Sequence, residues 1–477
     1  MTDSNLAVVV LAAGLGTRMK SDKPKVLHEI AGRPMIAHLL ATVSTLEPAR
    51  GVVVVAPGME HVARTVEPWP VAIQQEQRGT AHAVLAARDF LEGGEGDVLV
   101  LFADTPLVSQ AALRALLARL RTEPKPVLVV LGFRPAEPGA YGRLLVNAEG
   151  TLDAIVEAAD ASEEQRGIGL CNSGVMAIDA RHLLPLLDCV QDRNVKGEYY
   201  LTDIIALARR DGRDCAYVEA PADELIGVNS RADLALAEAA AQRRLRAIAL
   251  ANGATMTAPE TVWLCHDTRV GRDVTIGPNV VFGPGVVVED RAEIRAFCHI
   301  EGAHVEAGAV VGPFARLRPG ARIGRGAHIG NFVEIKNAVI EEGAKANHLA
   351  YLGDARVGAG ANVGAGTVTC NYDGYAKYRT DIGAGAFIGT NSSLIAPVKI
   401  GDGAYVGTGS VINRDVPPGA LAVARAKQED RPGWVEKFRA RKRAEAAAKS
   451  APMPSGRAAS ESAGKPAPRH AAKARKD

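Results

Sequence analysis

The sequence of 477 residues has few aromatic side chains, which make up 4% of the chain, and few cysteines. The six cysteines lie far apart without a C-x-x-C pair, which argues against a disulfide framework and against a structural zinc site. They are Cys171, Cys189, Cys215, Cys265, Cys298 and Cys370. No apolar run approaches the roughly 20 residues of a membrane-spanning helix, and the N-terminus lacks a signal-peptide pattern. These absences predict a cytoplasmic protein with reduced cysteines and no membrane span.

An excess of charge of one sign is also missing from most of the chain, because 56 Lys and Arg nearly balance 54 Asp and Glu. The small positive excess comes from residues 441–477, which contain ten Lys or Arg against three Asp or Glu. The remainder is therefore mildly acidic, and no nucleic-acid partner is expected. The basic segment 441–477, rich in Ala, Pro and Ser, is predicted to be a disordered tail.

Residues 1–230 alternate strand-like and helical patterns. The runs at 6–13, 51–56 and 97–104 are continuous and rich in β-branched residues, which is typical of strands buried on both faces of a parallel sheet. The helical patterns between them complete a βαβα order, which predicts an α/β domain. Residues 231–252 form a strong helical pattern that ends at Gly253, and they are predicted to be a helical linker.

Glycine and aliphatic residues are abundant after the linker, since 28 of the 49 glycines lie in residues 253–440. Apolar residues recur there every six positions, beginning at Val270, Ile276 and Phe282 and continuing, with register slips, to Ile412. This period predicts a β-helix of hexapeptide repeats, whose narrow interior has little room for aromatic rings. The period breaks at residues 370–381. This polar, tyrosine-rich insertion is either a functional loop or a tolerated surface loop.

A glycine-rich turn follows the first strand, in the sequence LAAGLGTRM at 11–19. Such a turn presents backbone N–H groups to phosphates, and Arg18 and Lys25 could neutralise a polyphosphate. The turn is neither a Rossmann fingerprint, because Met19 stands where the third glycine is needed, nor a Walker A loop. Asp104 ends the run 97–104 at the usual ligand-binding edge of an α/β sheet, where it could hold Mg²⁺ or cap the turn before Pro106.

The motif G-x-G-T-R-M with the downstream Pro-Lys pair resembles the nucleotidyltransferases that make nucleotide-sugars. Together with the long hexapeptide repeat, it resembles a family of bacterial bifunctional enzymes with glucosamine-1-phosphate N-acetyltransferase and N-acetylglucosamine-1-phosphate uridylyltransferase activities. The resemblance spans about residues 5–435 and includes PKVLHEIAGRPM, QRGTAHA, GEYYLTDII, GVNSR, GNFVEIKN, HLAYLGDA and GAGTVTCNYDG. It implies a Rossmann-like nucleotidyltransferase domain at 1–230 and a left-handed parallel β-helix acetyltransferase domain at 253–440.

The resemblance implies the following uridylyltransferase site. Nucleotide contacts fall on Leu11, Ala12, Ala13, Gly14, Arg18 and Lys25, uracil-side contacts on Gln74, Gly79 and Thr80, sugar contacts on Gly142, Glu157 and Asn172, and Mg²⁺ ligands on Asp104 and Asn229. Two oxygen ligands from the protein leave Mg²⁺ free to bridge substrate phosphates, so the reaction needs no protein nucleophile.

A second site is expected in the repeat, where His348 lies in KANHLAYLGD. A neutral imidazole can accept a proton from a substrate ammonium, although an isolated histidine in a coil is more often a surface or cap residue. The resemblance makes His348 the proposed base. It also assigns amino-sugar phosphate contacts to Arg318, Lys336, Tyr351 and Asn362, and acetyl-CoA contacts to Ala365, Asn371, Tyr372, Thr390, Thr408 and Arg425. Thr390 replaces the usual Ser, and Thr408 replaces a common Ala.

The expected function is therefore the synthesis of UDP-N-acetylglucosamine for the cell envelope from glucosamine-1-phosphate, acetyl-CoA and UTP, by a homotrimer. One alternative is a nucleotidyltransferase whose β-helix serves only as an oligomerisation scaffold. The other is a sugar-nucleotide-binding regulator without catalysis. The HLAYLGD and NYDG segments argue against the first, and Lys25, Asp104 and Asn229 argue against the second.

Overall fold

A computed structural model describes residues 5–450 of the chain. Contacts divide the chain after Ala424, and the short segment that begins at Arg425 is a separate unit. Within the described residues, no helix combines the length and apolar character needed to cross a membrane.

The N-terminal α/β domain is built on a nine-stranded mixed sheet with a small two-stranded hairpin. Its strands are β1 (Leu6–Leu11), β2 (Glu29–Ile30), β3 (Arg33–Pro34), β4 (Arg50–Val55), β5 (Val71–Ile73), β6 (Asp97–Phe102), β7 (Leu128–Phe133), β8 (Arg143–Val146), β9 (Leu152–Val156), β10 (Cys171–Asp179) and β11 (Cys215–Glu219). Its helices are α1 (Met35–Ser44), α2 (Glu60–Thr65), α3 (Thr80–Leu85), α4 (Arg88–Leu91), α5 (Gln110–Arg121), α6 (Glu163–Arg166), α7 (Ala180–Leu187) and α8 (Asp203–Arg210).

The main strand order is β11-β7-β10-β6-β1-β4-β5. Central β1 is entirely buried and runs parallel to both neighbours, with Val9 opposite Val52 and Val100. Alternate residues of β1 enter separate apolar clusters on the two faces of the sheet, as expected for a strand covered on both sides. The predicted α/β class is confirmed, but the sheet is mixed rather than purely parallel, because β10 runs antiparallel to β6 and β7.

The helix α9 (Arg231–Ala251) follows this domain and ends before Gly253, whose φ is +97°. Its buried face is mostly alanine, which lets the neighbouring chain approach closely. The buried Gln242 side chain donates to Leu264 O at 2.7 Å and accepts from Leu264 N at 2.9 Å. Ala31 of the β2–β3 turn in turn donates its N–H to Glu238 at 2.8 Å. The helix therefore contacts both the hairpin and the first coil of the next domain.

Three parallel sheets make up the β-helix. The first contains β12 (Thr255–Met256), β14 (Thr275–Ile276), β17 (Glu293–Ile294), β20 (Val310–Val311), β23 (His328–Asn331), β26 (Lys345–His348), β29 (Asn362–Val363), β32 (Phe387–Ile388), β35 (Tyr405–Val406) and β37 (Leu421–Ala422). The second contains β13 (Arg269–Val270), β16 (Val287–Val288), β19 (His304–Val305), β22 (Arg322–Ile323), β25 (Val339–Ile340), β28 (Ala355–Val357), β31 (Thr380–Ile382) and β34 (Val398–Ile400). The third contains β15 (Val281–Phe282), β18 (His299–Ile300), β21 (Arg316–Leu317), β24 (Glu334–Lys336), β27 (Tyr351–Gly353), β30 (Val368–Cys370), β33 (Ser393–Ile395) and β36 (Val411–Ile412).

The six-residue apolar period forms the interior of this left-handed β-helix, as predicted. Ile294 pairs with Ile276 on one side and Val311 on the other, so aliphatic side chains stack from coil to coil. The interior is a single cluster made mostly of Ala, Val, Ile and Leu, with Met256, Cys298 and one buried phenylalanine, Phe282. The low aromatic content of the chain thus follows from the narrow coil.

The unit that begins at Arg425 contains α10 (Trp434–Ser450), which has no buried side chain. The sequence predicted disorder from residue 441, but residues 441–450 are helical, and residues 451–477 lie outside the described part. The segment 441–449 is composed of Ala, Glu, Lys and Arg, all strong helix formers, and Lys442 pairs with Glu445 at 2.7 Å. The coils also end at β37, earlier than the predicted boundary at residue 440.

Candidate active sites

A cavity of about 270 Å³ opens at the carboxyl ends of β1 and β6. This is the edge where open α/β sheets bind ligands. Nine of the predicted uridylyltransferase residues line it: Leu11, Ala12, Ala13, Gly14, Lys25, Gln74, Gly79, Thr80 and Asp104. Gln77, Phe102 and Glu198 also line it, although the sequence did not single them out. Gln77 and Glu198 belong to the matching stretches QRGTAHA and GEYYLTDII, and Phe102 ends β6, but only the packing of separate loops shows that they line one wall.

The glycine-rich turn brings Lys25 into this cavity. Gly16 has a φ of +64°, and a Cβ atom there would lie 2.6 Å from Cβ of Lys25, so glycine is required for the close approach. Arg18 lies on the short turn Thr17–Met19 and is exposed, outside the cavity lining. The turn therefore directs Lys25, and not Arg18, at the centre of the site.

Lys25, Asp104 and Asn229 meet at one point. The Lys25 ammonium donates to Asp104 Oδ2 at 2.5 Å and to Asn229 Oδ1 at 3.1 Å. Two side-chain oxygens from distant parts of the chain thus converge on a cation beside the phosphate-binding turn. Carboxylate and amide oxygens are ligands that Mg²⁺ accepts, so this pair fits the divalent ion expected from the sequence.

Asn229 is held by its neighbours. Val228 N donates to Asp104 O at 2.8 Å, which ties the segment before α9 to the end of β6. Asp233 Oδ2 accepts from the backbone N–H of Asn229 at 3.0 Å and of Ser230 at 2.8 Å, completing a capping box at the start of α9. The linker helix therefore positions an oxygen of the nucleotide site.

The predicted uracil-side residues form one connected wall. The buried Gln74 amide donates to Gly79 O at 3.2 Å, and Thr80 Oγ1 accepts from Leu201 N at 2.9 Å. Gly79 has a φ of +118°, and a Cβ atom there would lie 2.4 Å from Tyr199 O. Packing against residues 199–201 therefore gives this wall its shape.

The predicted sugar contacts lie outside the cavity lining but are linked to it. Asn172 N donates to Gly142 O at 2.9 Å, and Thr202 donates its hydroxyl to Glu157 Oε1 at 3.2 Å. Burial raises the pKa of the Glu157 carboxyl above its ordinary value, and the hydrogen bond from Thr202 opposes this shift. Thr202 belongs to the segment 198–202 that borders the cavity. The predicted sugar contact Glu157 and the uracil-side wall therefore both pack against this segment.

Four of the predicted acetyltransferase residues lie along one column of corners of the β-helix. His348, Ala365, Thr390 and Thr408 each directly precede a residue with positive φ, namely Leu349, Gly366, Asn391 and Gly409. Backbone hydrogen bonds join successive corners, for example Asn391 N to Ala365 O at 2.7 Å and Gly409 N to Thr390 O at 2.8 Å. Residues that are far apart in sequence therefore follow one another along the outside of the coil. His348 is exposed, and its Nδ1 lies 2.7 Å from Asn331 Oδ1.

A cluster of cations lies along the third sheet, whose strand β27 follows His348 after the corner at Leu349. Arg318 and Lys336 are on adjacent coils, and Arg318 donates to Glu334 at 2.8 Å. The buried Nε of Arg318 has no hydrogen-bond partner among the described residues, which leaves a donor for a ligand. Lys377 contacts Lys336 and is the largest cause of the lowered pKa of the Lys336 ammonium. The sequence did not single out Lys377, although it lies in the tyrosine-rich insertion.

The insertion is ordered around Asn371 and Tyr372. Asn371 is buried and donates to Asp354 Oδ2 at 2.5 Å, while Asn337 donates to Asp354 Oδ1 at 2.6 Å. The Tyr372 ring is exposed, and its hydroxyl donates to Gly374 O at 2.6 Å. The loop is therefore fixed to the coil below while it presents an aromatic ring outward.

The remaining predicted residues of this site are placed as follows. Tyr351 pairs with Glu334 on the third sheet, and Asn362 follows Lys345 along the outer side of the first sheet. Arg425 belongs to the separate C-terminal unit.

Both halves of the chain match models of known protein families. The model described as MobA-like NTP transferase domain matches residues 8–254, and that of the bacterial transferase hexapeptide (six repeats) matches residues 267–302, 302–337 and 379–414. The bifunctional protein GlmU of Paramagnetospirillum magneticum is 63% identical over 449 residues, covering 94% of this chain and 100% of the relative. The chain belongs to the GlmU family.

Other members of the GlmU family agree with this assignment. The bifunctional GlmU proteins of Rhodospirillum rubrum and Xanthobacter autotrophicus are 63% and 56% identical, each covering 92% of this chain and 98% of the relative. As a GlmU family member, the chain is a bifunctional enzyme that joins a uridylyltransferase to an acetyltransferase. The predicted family and enzyme class are thus confirmed.

Proposed function

We propose that the N-terminal cavity and the corner column of the β-helix are the two active sites of UDP-N-acetylglucosamine synthesis. Glucosamine-1-phosphate is acetylated from acetyl-CoA at the β-helix, and the product reacts with UTP at the cavity. The observation that carries the proposal is the meeting of Lys25, Asp104 and Asn229 beside the phosphate-binding turn, at 2.5 and 3.1 Å. A binding module would not need two oxygen ligands and an ammonium together at the position of the phosphates.

In the uridylyl transfer, this chain positions the reactants and neutralises charge. The turn from Leu11 to Gly14 binds the triphosphate through its backbone, and Lys25 moves from Asp104 to the phosphate oxygens. The sugar-phosphate oxygen forms a bond to the α-phosphorus of UTP while the bond to the pyrophosphate oxygen breaks. Asp104 and Asn229 would hold Mg²⁺, which would supply positive charge against the phosphates. Gln74, Gly79 and Thr80 hold the uracil, and Gly142, Glu157 and Asn172 hold the sugar.

In the acetyl transfer, His348 is the general base. Arg318 and Lys336, joined by Lys377, bind the phosphate of the amino sugar, which brings the amine to the corner at Leu349. Tyr351 and Asn362 flank the sugar. Acetyl-CoA lies along the column of Ala365, Thr390 and Thr408, where the corner residues are small or polar, with Asn371 and Tyr372 as further contacts. Two or more cations for one phosphate make electrostatic sense.

The assembly we propose is a homotrimer. Phe297, Phe314 and Phe332 occupy successive corners of the same column with positive φ, and their exposed rings stack at centroid distances of 4.8 and 5.2 Å. Leu349, directly after His348, continues this ridge, and the four side chains are 44–61% exposed. A bulky side chain at positive φ is strained, and an exposed apolar ridge of this kind is typical of a contact surface. A second copy of the chain on this ridge would close the open side of the acetyltransferase site.

We propose the cytoplasm as the location. All six cysteines are free, and those at 171, 215, 265 and 298 are buried within the two domains. Free buried thiols agree with a reducing compartment.

A coupled assay of the purified protein tests the function. UDP-N-acetylglucosamine should form only when glucosamine-1-phosphate, acetyl-CoA, UTP and Mg²⁺ are all present. When N-acetylglucosamine-1-phosphate is supplied instead, acetyl-CoA should become dispensable. Uridylyl transfer without any acetyl transfer would favour the scaffold alternative for the β-helix, and nucleotide binding without turnover would favour a regulator.

A further inference from the structure

We infer that Asn331 is a positioning residue that sets the tautomer and orientation of His348. The inference rests on the proposed role of His348 as the base for acetyl transfer. Asn331 Oδ1 lies 2.7 Å from His348 Nδ1, a length typical of a strong hydrogen bond. No other side-chain contact of His348 competes for this nitrogen among the described residues.

The β-helix itself places the two side chains together. Asn331 ends β23 and His348 ends β26, and the parallel register pairs these two residues on adjacent coils. The next residues, Phe332 and Leu349, both have positive φ, so the chain turns away at the same point in each coil. Leu349 N also donates to Asn331 O at 3.0 Å. Asn331 therefore accepts a hydrogen bond from the backbone of Leu349 through its carbonyl and contacts the His348 imidazole through its side chain.

The chemistry follows from the acceptor. A carboxamide oxygen cannot donate, so Nδ1 of His348 carries the hydrogen and Nε2 keeps its lone pair. Nε2 can then take a proton from the substrate ammonium. The freed amine forms the N–C bond to the acetyl carbon, and the C–S bond breaks. The proton on Nε2 passes to the departing thiolate of CoA, and the second amine proton leaves to solvent.

An amide also differs from the carboxylate found beside many catalytic histidines. Asn331 orients the ring without adding a negative charge beside it. Its oxygen accepts the hydrogen on Nδ1, so the side chain acts on the tautomer and the orientation of the ring.

The experiment is a double-mutant cycle on the full chain. A positioned general base supplies about 10²- to 10⁴-fold, so losing its orientation in Asn331→Ala should lower kcat for acetyl transfer about 10- to 100-fold. The KM values for glucosamine-1-phosphate and acetyl-CoA should change less than about threefold, and uridylyl transfer should not change. Adding Asn331→Ala to His348→Ala should cause no further loss. Asn331→Asp, which restores an acceptor, should recover most of kcat, and His328→Ala on the same strand serves as the matched control.

Several outcomes would overturn the inference. They are an unchanged kcat in Asn331→Ala, a rise in KM without loss of kcat, or an equal loss in the presence and absence of His348. Parallel loss of both activities with a lowered Tm, not rescued by Asn331→Asp, would show a merely structural role. Full acetyl transfer by His348→Ala would instead contradict the proposed base, which separates a failure of the proposed function from a failure of this inference.

Discussion

The two halves of this chain build their sites in opposite ways. In the α/β domain, segments between residues 11 and 198 converge on one cavity, and Lys25 and Asp104 are largely withdrawn from solvent. In the β-helix, the candidate residues lie on an open column of corners, and His348, Thr390 and Thr408 are exposed. The chain itself surrounds the uridylyltransferase site. In the acetyltransferase site it only places the residues in a row on its outer surface.

This difference has a physical origin. A twisted sheet with helices on both faces creates a crevice where its loops splay apart, so a single domain can surround a ligand. A solenoid is filled by its own aliphatic ladder and has no interior space, so function is confined to its outer surface. The stacked ridge of Phe297, Phe314, Phe332 and Leu349 lies next to His348 on this surface. The acetyltransferase site should therefore depend on a second copy, and the uridylyltransferase site should not.

The largest expected effect is that of replacing His348, which should reduce the activity of the β-helix and leave that of the α/β domain intact. In His348→Ala, acetyl transfer should fall by about 10²- to 10⁴-fold, the contribution of a positioned general base, because the proposed acceptor of the amine proton is removed. Uridylyl transfer from N-acetylglucosamine-1-phosphate should continue at the native rate. Separate assays of CoA release and pyrophosphate release measure the two. Equal loss of both would contradict the division of labour.

The converse change is Asp104→Asn. Removing one negative oxygen ligand should lower uridylyl transfer about 10²- to 10³-fold, a loss like that of one electrostatic stabiliser of a transition state. Acetyl transfer should be unchanged, because Asp104 belongs to the other domain. The pyrophosphate assay should be run over a range of Mg²⁺ concentrations. A native rate at all of them would exclude the proposed metal role.

Substitutions in the ridge of Phe297, Phe314, Phe332 and Leu349 test whether the acetyltransferase site needs a second copy of the chain. Phe314→Asn combined with Phe332→Asn removes two exposed rings but places a residue that tolerates positive φ at each corner, so the coil should stay folded. We expect a monomer by light scattering and at least a tenfold loss of acetyl transfer, with uridylyl transfer retained. Leu236→Glu, a change of an exposed apolar residue on α9, is the matched control. A trimer that survives the double substitution would show that the ridge is not the contact.

The smallest expected effect concerns Lys377. In Lys377→Met, loss of one cation should raise KM for glucosamine-1-phosphate about tenfold, or about 1.4 kcal/mol. KM for glucosamine-1-phosphate should rise at alkaline pH as Lys336 loses its charge. The same change should move this rise to higher pH. Contact with Lys377 lowers the pKa of Lys336, so its removal lets Lys336 stay charged, and able to hold phosphate, at higher pH.

A KM profile between pH 7 and 10 measures the effect, with Lys399→Met as the control on an exposed lysine of the second sheet. A profile that does not move would show that Lys336 and Lys377 do not share the bound phosphate.

Local pattern was sufficient for much of the architecture and for part of the sites. The six-residue period identified the coils because each hexad is a local unit, and residues of the turn after β1 line the cavity of the candidate nucleotide site. The antiparallel β10 escaped detection, because strand direction depends on which edges of the sheet remain free. Residues 441–450 were assigned to a disordered tail by their charge, although their helix propensity is high.

Residue type and spacing in the chain establish that a glycine-rich turn precedes a solenoid of hexapeptides, since both patterns arise within a few neighbouring residues. Packing decides the rest. Only the fold brings Asn229 across 204 residues to Lys25, sets Asn331 beside His348, and brings Lys377 against Lys336. The strength of a hydrogen bond or of a charge pair depends on distances of a few ångströms, and the chain acquires these distances only when its coils and loops are stacked.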